Sequence, residues 1–202
     1  MPVRRPSKRQ DLSLYSFYDD FGGSLYDNDM WAVRGSGGSL ALQTDGSLRV
    51  RATANNSYEL YQKDLPDFSV EKLATITSRY RLSSIANIQG ETGFEAAAPY
   101  NGTDWITLYY DSVVGANWQA QCAVGNVPTT VDTGIAANTS YHEFRIECKT
   151  GEVVFFLDGA LVATITTNIT TRLLQPYAFI VSKTGSARDV FFDWLECTGE
   201  RE

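Results

Sequence analysis

The stretch YHEFRIECKTGEVVFFLDGALVATIT, residues 141–166, decides the fold. In YHEFRIEC (141–148), His142, Phe144, Ile146 and Cys148 share one parity, and Tyr141, Glu143, Arg145 and Glu147 share the other. Alternation with period two predicts an antiparallel strand with one buried face and one wet face. Asp158-Gly159 separates EVVFFL (152–157) from ALVATIT (160–166). Asp-Gly suits a two-residue type I′ hairpin turn, because both central residues need positive φ.

The same pattern extends in both directions. In NWQAQCAV (117–124), Trp118, Ala120, Cys122 and Val124 point one way and Asn117, Gln119 and Gln121 the other. Further strands are predicted at LYSFYDDF (14–21), SLALQ (39–43), SLRVRAT (47–53), SYELYQ (57–62) and LATITSRYRL (73–82). ETGFEAAA (91–98), WITLYYD (105–111), LLQPYAFIVS (173–182) and DVFFDWLEC (189–197) complete the set. Short runs at regular spacing, separated by turn residues, predict a sandwich or barrel. No fixed repeat is visible, which argues against a propeller or solenoid. Aromatic residues make up 12% of the chain, a load that suits strands. The expected fold is all-β: an antiparallel two-sheet jelly-roll sandwich over residues 14–199, preceded by an extended basic arm at 1–13.

Charge separates these two parts. The arm holds Arg4, Arg5, Lys8 and Arg9 and no acid before Asp11, while Pro2 and Pro6 oppose helix. Setting those four aside leaves 13 basic against 24 acidic residues, a body of −11 within a chain of −7. An acidic body repels phosphates and argues against a nucleic-acid partner. No apolar run follows the basic start, so neither a secretory signal nor a membrane span is expected. Cys122, Cys148 and Cys197 lie among apolar residues and read as buried reduced thiols, with a Cys148–Cys197 bridge as the alternative. The sequons at Asn55, Asn101, Asn138 and Asn168 read as products of an Asn/Thr-rich surface.

The segment DTGIAANTSYHEFRIECKTGEVVFFLDGALVATITTNI (132–169) resembles the core of the concanavalin A-like lectin/glucanase superfamily. DVFFDWLEC resembles its final strand, which the resemblance pairs near the first one, YSFYDDF (15–21). The resemblance spans residues 14–198 and speaks to fold far more than to function. The combination TNI…LQPYAFIVSKTGSA resembles non-catalytic domains of this type in bacteriophage virions.

ETGFE (91–95) is similar to the E-x-D-x-E strand of laminarinase-type glycoside hydrolases. That likeness implies Glu91 as nucleophile and Glu95 as general acid/base. Gly93 stands where the family has the Asp that tunes the nucleophile, and Ile85–Gln89 stands in place of a Trp-rich strand. Retaining hydrolysis needs carboxyls about 5–5.5 Å apart. Four residues of strand span about 13 Å, so both side chains must lean inward. These departures point away from catalysis, and the chain is expected not to be an enzyme.

Other candidates divide by chemistry. A sugar-binding face would draw on Trp105, Tyr109, Tyr110, Trp118, Gln119 and Gln121, with Trp31 and Tyr100 as a wall. His142 reads as a rim or core residue with one hydrogen bond. Asp19, Asp20, Asp27, Asn28 and Asp29 could ligate Ca²⁺ but read as turn caps, so no metal and no cofactor is expected. The arm would fold on binding to a neighbouring subunit. The expectation is a non-enzymatic bacteriophage virion structural protein, a capsid decoration or head/tail accessory. Arg4, Arg5, Lys8 and Arg9 would anchor it to a major capsid protein or other virion subunit. Closed symmetry, such as a trimer, would suit it. The alternatives are a lectin-like module for a surface glycan and a hydrolase using Glu91 and Glu95.

Overall fold

A computed structural model describes residues 14–22, 30–63, 68–97 and 102–200. They form fifteen strands. The first five are β1 (Leu14–Asp19), β2 (Trp31–Arg34), β3 (Gly38–Leu42), β4 (Leu48–Ala52) and β5 (Ser57–Gln62). Next come β6 (Thr75–Leu82), β7 (Ile88–Ala96), β8 (Trp105–Asp111), β9 (Asn117–Val124) and β10 (Val127–Ala136). The last are β11 (His142–Lys149), β12 (Glu152–Leu157), β13 (Ala160–Ile165), β14 (Leu174–Ser182) and β15 (Arg188–Glu200). One sheet runs β13-β12-β11-β6-β15-β4-β3, with β1 also on β15; the other runs β10-β9-β8-β7-β14-β5-β2. All pairings between these strands are antiparallel, and the first strand does pair with the last. The expected two-sheet sandwich is the observed fold.

The deciding stretch folds as its alternation dictates. Phe144, Ile146 and Cys148 are buried, and β11 pairs with β12 from Phe144 opposite Leu157 to Lys149 opposite Glu152. Asp158 and Gly159 both take positive φ, +50° and +79°, as a type I′ turn requires. The core lies between the sheets. Trp118 from one sheet meets Tyr80, Phe144 and Tyr110 at ring-centroid distances of 5.8, 4.8 and 5.8 Å. Each such fully buried side chain adds on the order of 1.5–3 kcal/mol by leaving water. The three cysteines are buried and unbridged, and burial pushes Cys122 up to about 12.

Two strands escaped the sequence reading, β2 and β10. β10, VPTTVDTGIA, follows a two-residue turn at Gly125-Asn126, both with positive φ, and pairs with β9. It is the edge of its sheet, where Pro128 is tolerated. The Pro and Gly within it masked its strand character.

Candidate functional site

The outer face of the seven-stranded sheet carries the candidate site. On β7, Ile88, Phe94 and Ala96 enter the core, so Gln89, Glu91, Gly93 and Glu95 face outward. The same parity turns Gln175, Tyr177 and Phe179 of β14 outward, and likewise Trp105, Thr107, Tyr109 and Asp111 of β8. Register aligns them in rows. Glu91 lies between Phe179 and Tyr109, Gly93 between Tyr177 and Thr107, and Glu95 between Gln175 and Trp105. Above these rows is a cavity of about 340 Å³, whose lining includes Glu59, Glu91, Glu95, Trp105, Tyr109 and Tyr177.

The two β7 glutamates have different surroundings. Arg34, on edge strand β2, places its fork on Glu95, with Nη2 2.8 Å from Oε1 and Nη1 3.2 Å from Oε2. Gln175 donates to Glu95 Oε1 at 2.6 Å. Glu91 accepts a 2.7 Å bond from the Tyr177 hydroxyl and one from the Gln89 amide. Part of Glu91 stays open to the cleft, yet its carboxyl is enclosed. Burial pushes it above the usual carboxylate range, while Tyr177 and Gln89 pull it down.

A third carboxyl sits beside them. Glu59, opposite both Arg34 and Phe179, is 8% exposed. Burial, then the negative charge of Glu95, push it up to about 9, and Arg34 opposes this. Arg34 Nη1 is 3.4 Å from Glu59 Oε1, near enough for attraction but not aligned for a hydrogen bond. The Arg34 guanidinium also lies over the Tyr61 ring at 4.6 Å. Farther along, Lys183 holds Asp111 at 2.5 and 2.6 Å.

Gly93 has a packing reason. A Cβ there would strike the Ile106 carbonyl oxygen and lie 2.9 Å from Thr107 Cα. The neighbouring strand β8 approaches too closely for a side chain at this position. Tyr177, its neighbour in register on β14, supplies the hydrogen bond to Glu91 from the adjacent strand.

The structure brings Glu91, Glu95, Trp105, Tyr109 and Gln121 to one cleft. Trp105 Nε1 donates to Gln121 Oε1 at 2.5 Å, and Gln121 Nε2 reaches Thr130 at 2.7 Å. Gln119 shares this face but is 4% exposed and bonds to the Asn117 carbonyl. Trp118 is a correction: it is fully buried between the sheets and cannot offer a face to a sugar. Adjacent strand residues point to opposite faces, so Trp118 could not share a surface with Gln119. Tyr110 and Trp31 are core residues as well, and Tyr100 lies outside the described residues.

His142 makes two contacts rather than one, Nδ1 with Asp158 at 2.6 Å and Nε2 with Asn138 at 3.0 Å. Asp19 accepts from Phe21 N and Trp31 Nε1, and Asp20 from Gly22 N, as turn caps do. Asp27, Asn28 and Asp29 lie outside the described residues, as do Arg4, Arg5, Lys8 and Arg9 of the arm. Among the described residues, no group of three or more His, Cys, Asp or Glu is placed to hold a metal ion.

Sequence reading missed Arg34, Glu59, Gln175 and Tyr177. The signal for Glu59 was present, since it lies between Tyr58 and Leu60, which take the core parity of SYELYQ. Arg34 carried none, because nothing local marks WAVR as the edge strand beside β5.

No protein-family model and no curated protein matches the sequence. Solved structures do match in fold. The Bacillus licheniformis β-glucanase aligns with a TM-score of 0.71 at 16% identity, covering 93% of this chain and 98% of that one. A β-1,3-1,4-glucanase (lichenase) from a mouse hindgut metagenome aligns at 0.69 and 16%, covering 90% and 97%. A pseudo β-1,3-glucanase of Mycobacterium tuberculosis, described as an immunostimulatory antigen, aligns at 0.70 and 15%, covering 92% and 98%.

The fold is a two-sheet jelly roll like that of these glucanases.

These neighbours overturn the expectation of a non-enzymatic virion structural protein, and with it the expectation that the chain is not an enzyme. The jelly roll aligns with β-glucanases. The segment that suggested a virion, LQPYAFIVSKTGSA, has a cleft role instead. It supplies Gln175 and Tyr177 to the two glutamates and Lys183 to Asp111.

Proposed function

We propose that the chain is a retaining glycoside hydrolase acting on a neutral, β-linked glucan, with Glu91 and Glu95 as the reacting carboxyls. The observation that carries this reading is their placement. They stand four residues apart on one strand face, over Gly93, in a cleft walled by Trp105, Tyr109 and Tyr177. Aromatic walls suit the apolar faces of sugar rings, and Gln89 and Gln121 offer amides to hydroxyls. Among the described residues, the cleft-facing carboxyls Glu59, Glu95 and Asp111 form ion pairs with Arg34 and Lys183. The names of the fold neighbours, β-glucanase and lichenase, support a β-glucan.

The chemistry needs one carboxylate to attack the anomeric carbon and one carboxylic acid to protonate the leaving oxygen. Unequal surroundings are what divide such roles between two like side chains. The test is incubation with mixed-linkage β-1,3-1,4-glucan, following new reducing ends and the anomer formed first. Wild-type protein should release β-anomers, and Glu91→Gln and Glu95→Gln should each slow release by about 100- to 10,000-fold. Glucan binding without cleavage, or cleavage indifferent to both substitutions, would overturn the proposal.

A further inference from the structure

In the roles that the resemblance implies, Glu91 attacks and Glu95 gives up a proton. Both Glu91 oxygens accept hydrogen bonds, one from Gln89 and one from Tyr177, as befits an attacking carboxylate. Glu95, however, is also held as an acceptor. Both of its oxygens take the Arg34 fork, and Oε1 accepts from Gln175 as well. A guanidinium has donors only and keeps its charge, so it favours the unprotonated form of its bidentate partner. The proton for the leaving oxygen then needs a store beside Glu95. Resting on the hydrolase reading above, we propose that Glu59 holds this proton and passes it to the leaving group through Glu95.

The cluster of groups carries the inference. Glu59 is 8% exposed and Glu95 3%, and Arg34 reaches both of them. Every aligned N–H of Arg34 and Gln175 ends on Glu95, while Glu59 Oε1 receives none. One cation thus serves two enclosed carboxyls and is aligned on one. Like charges sharing an enclosure do not both ionise, and the carboxyl without aligned donors keeps the proton. The side chains of Glu59 and Glu95 are also hydrogen-bonded to each other. Ionised carboxyls are acceptors only, so that bond requires a proton on one of the two. The charges acting on Glu59 are those of Glu95 and Glu91 on β7 and of Arg34 on β2. Tyr61 of its own strand and Tyr177 of β14 flank it, two positions along the register. Burial pushes the Glu59 carboxyl upward, in agreement with the bond pattern.

The steps balance. A Glu91 oxygen bonds to the anomeric carbon as the glycosidic C–O bond breaks. The Glu59 proton crosses to Glu95, and Glu95 delivers a proton to the departing oxygen. Glu59 and Glu95 are then both carboxylates, with Arg34 beside them. Water gives a proton to Glu95, its oxygen bonds to the anomeric carbon, and the Glu91 ester breaks. The proton returns to Glu59. Glu59 touches no reacting atom in this sequence; it acts through Glu95.

Glu59→Gln tests the store, because the amide keeps the shape and can still donate to Glu95 but has no proton to release. Two substrates are compared by kcat/KM: mixed-linkage β-glucan, whose leaving oxygen needs a proton, and a dinitrophenyl β-gluco-oligosaccharide, whose leaving group departs without one. The substitution should slow glucan cleavage by about 10- to 100-fold more than cleavage of the dinitrophenyl substrate. An equal loss on both substrates would mean that Glu59 merely shapes the cleft, and it overturns the proposal. Unchanged glucan cleavage overturns it too. Infrared difference spectra of wild type against Glu59→Gln at neutral pH need no turnover. The carbonyl stretch of a protonated carboxyl is expected in wild type and missing from the variant; its absence from wild type refutes the stored proton. Failure of these comparisons in an active enzyme removes the store alone. If folded wild-type protein cleaves neither substrate, the hydrolase reading falls and this role of Glu59 with it.

Discussion

Replacing Glu59 by Gln should make the protein more stable, and increasingly so as pH rises. Folded Glu59 is pushed up to about 9, by burial first and by the charge of Glu95 second. In the unfolded chain the carboxyl returns to its ordinary value of 4.5. Between those values the folded state holds a proton that the unfolded state has lost. The sign follows: stability associated with this group is complete below the unfolded value and is lost as pH rises toward the folded one. Each unit costs at most about 1.4 kcal/mol, so the penalty at pH 7 is about 3 kcal/mol as an upper figure. Glutamine has nearly the same shape and no proton to lose. Folded Glu59 is neutral at these pH values, so the amide leaves the 3.4 Å contact with Arg34 nearly unchanged. The net gain at pH 7 is therefore up to about 3 kcal/mol, shrinking to about 1 kcal/mol or less near pH 5. Urea unfolding of both proteins at pH 5, 7 and 8.5 measures it directly. If the two stability curves run parallel in pH, burial does not hold the proton on Glu59, and the electrostatic picture of the cleft fails.

Two further outcomes follow from the packing. Gly93→Asp, which restores the acid of the E-x-D-x-E pattern, should destabilise the fold by about 3 kcal/mol or more, because its side chain meets the β8 backbone and adds an anion between two glutamates; urea titration that finds no loss would refute the close approach. Trp118→Ala should cost about 3–5 kcal/mol without changing the glucan affinity of the folded protein, whereas Trp105→Ala should weaken affinity at small cost in stability. Isothermal titration alongside thermal melts separates the two, and an affinity loss at Trp118 alone would reverse the assignment of faces.

The alternation of residues 141–148, the Asp158-Gly159 turn and the shared parity of Glu91 and Glu95 were all legible in the sequence. Each depends on φ, ψ and the two-residue period of a strand, which act within a few residues. The same rule already set Trp118 apart from Gln119. It could not say which parity faces the second sheet, because that depends on which strands meet across the core. Arg34 reaches Glu95 across 61 positions, and Gln175 reaches it across 80. Register sets Gln175 directly opposite Glu95, while Arg34 stands in the Glu59–Phe179–Glu91 row and reaches Glu95 diagonally across the sheet. Gly93 shows the division most sharply. As a letter in ETGFE it reads as a lost catalytic carboxylate. In the fold it marks a close approach of the paired strands β7 and β8, and Tyr177 from β14 makes the bond to Glu91. The sequence by itself determined the strands and put two carboxyls on one face. Only the packed sheet decided which of them meets a cation, because charge partners are chosen by distance in space and not along the chain.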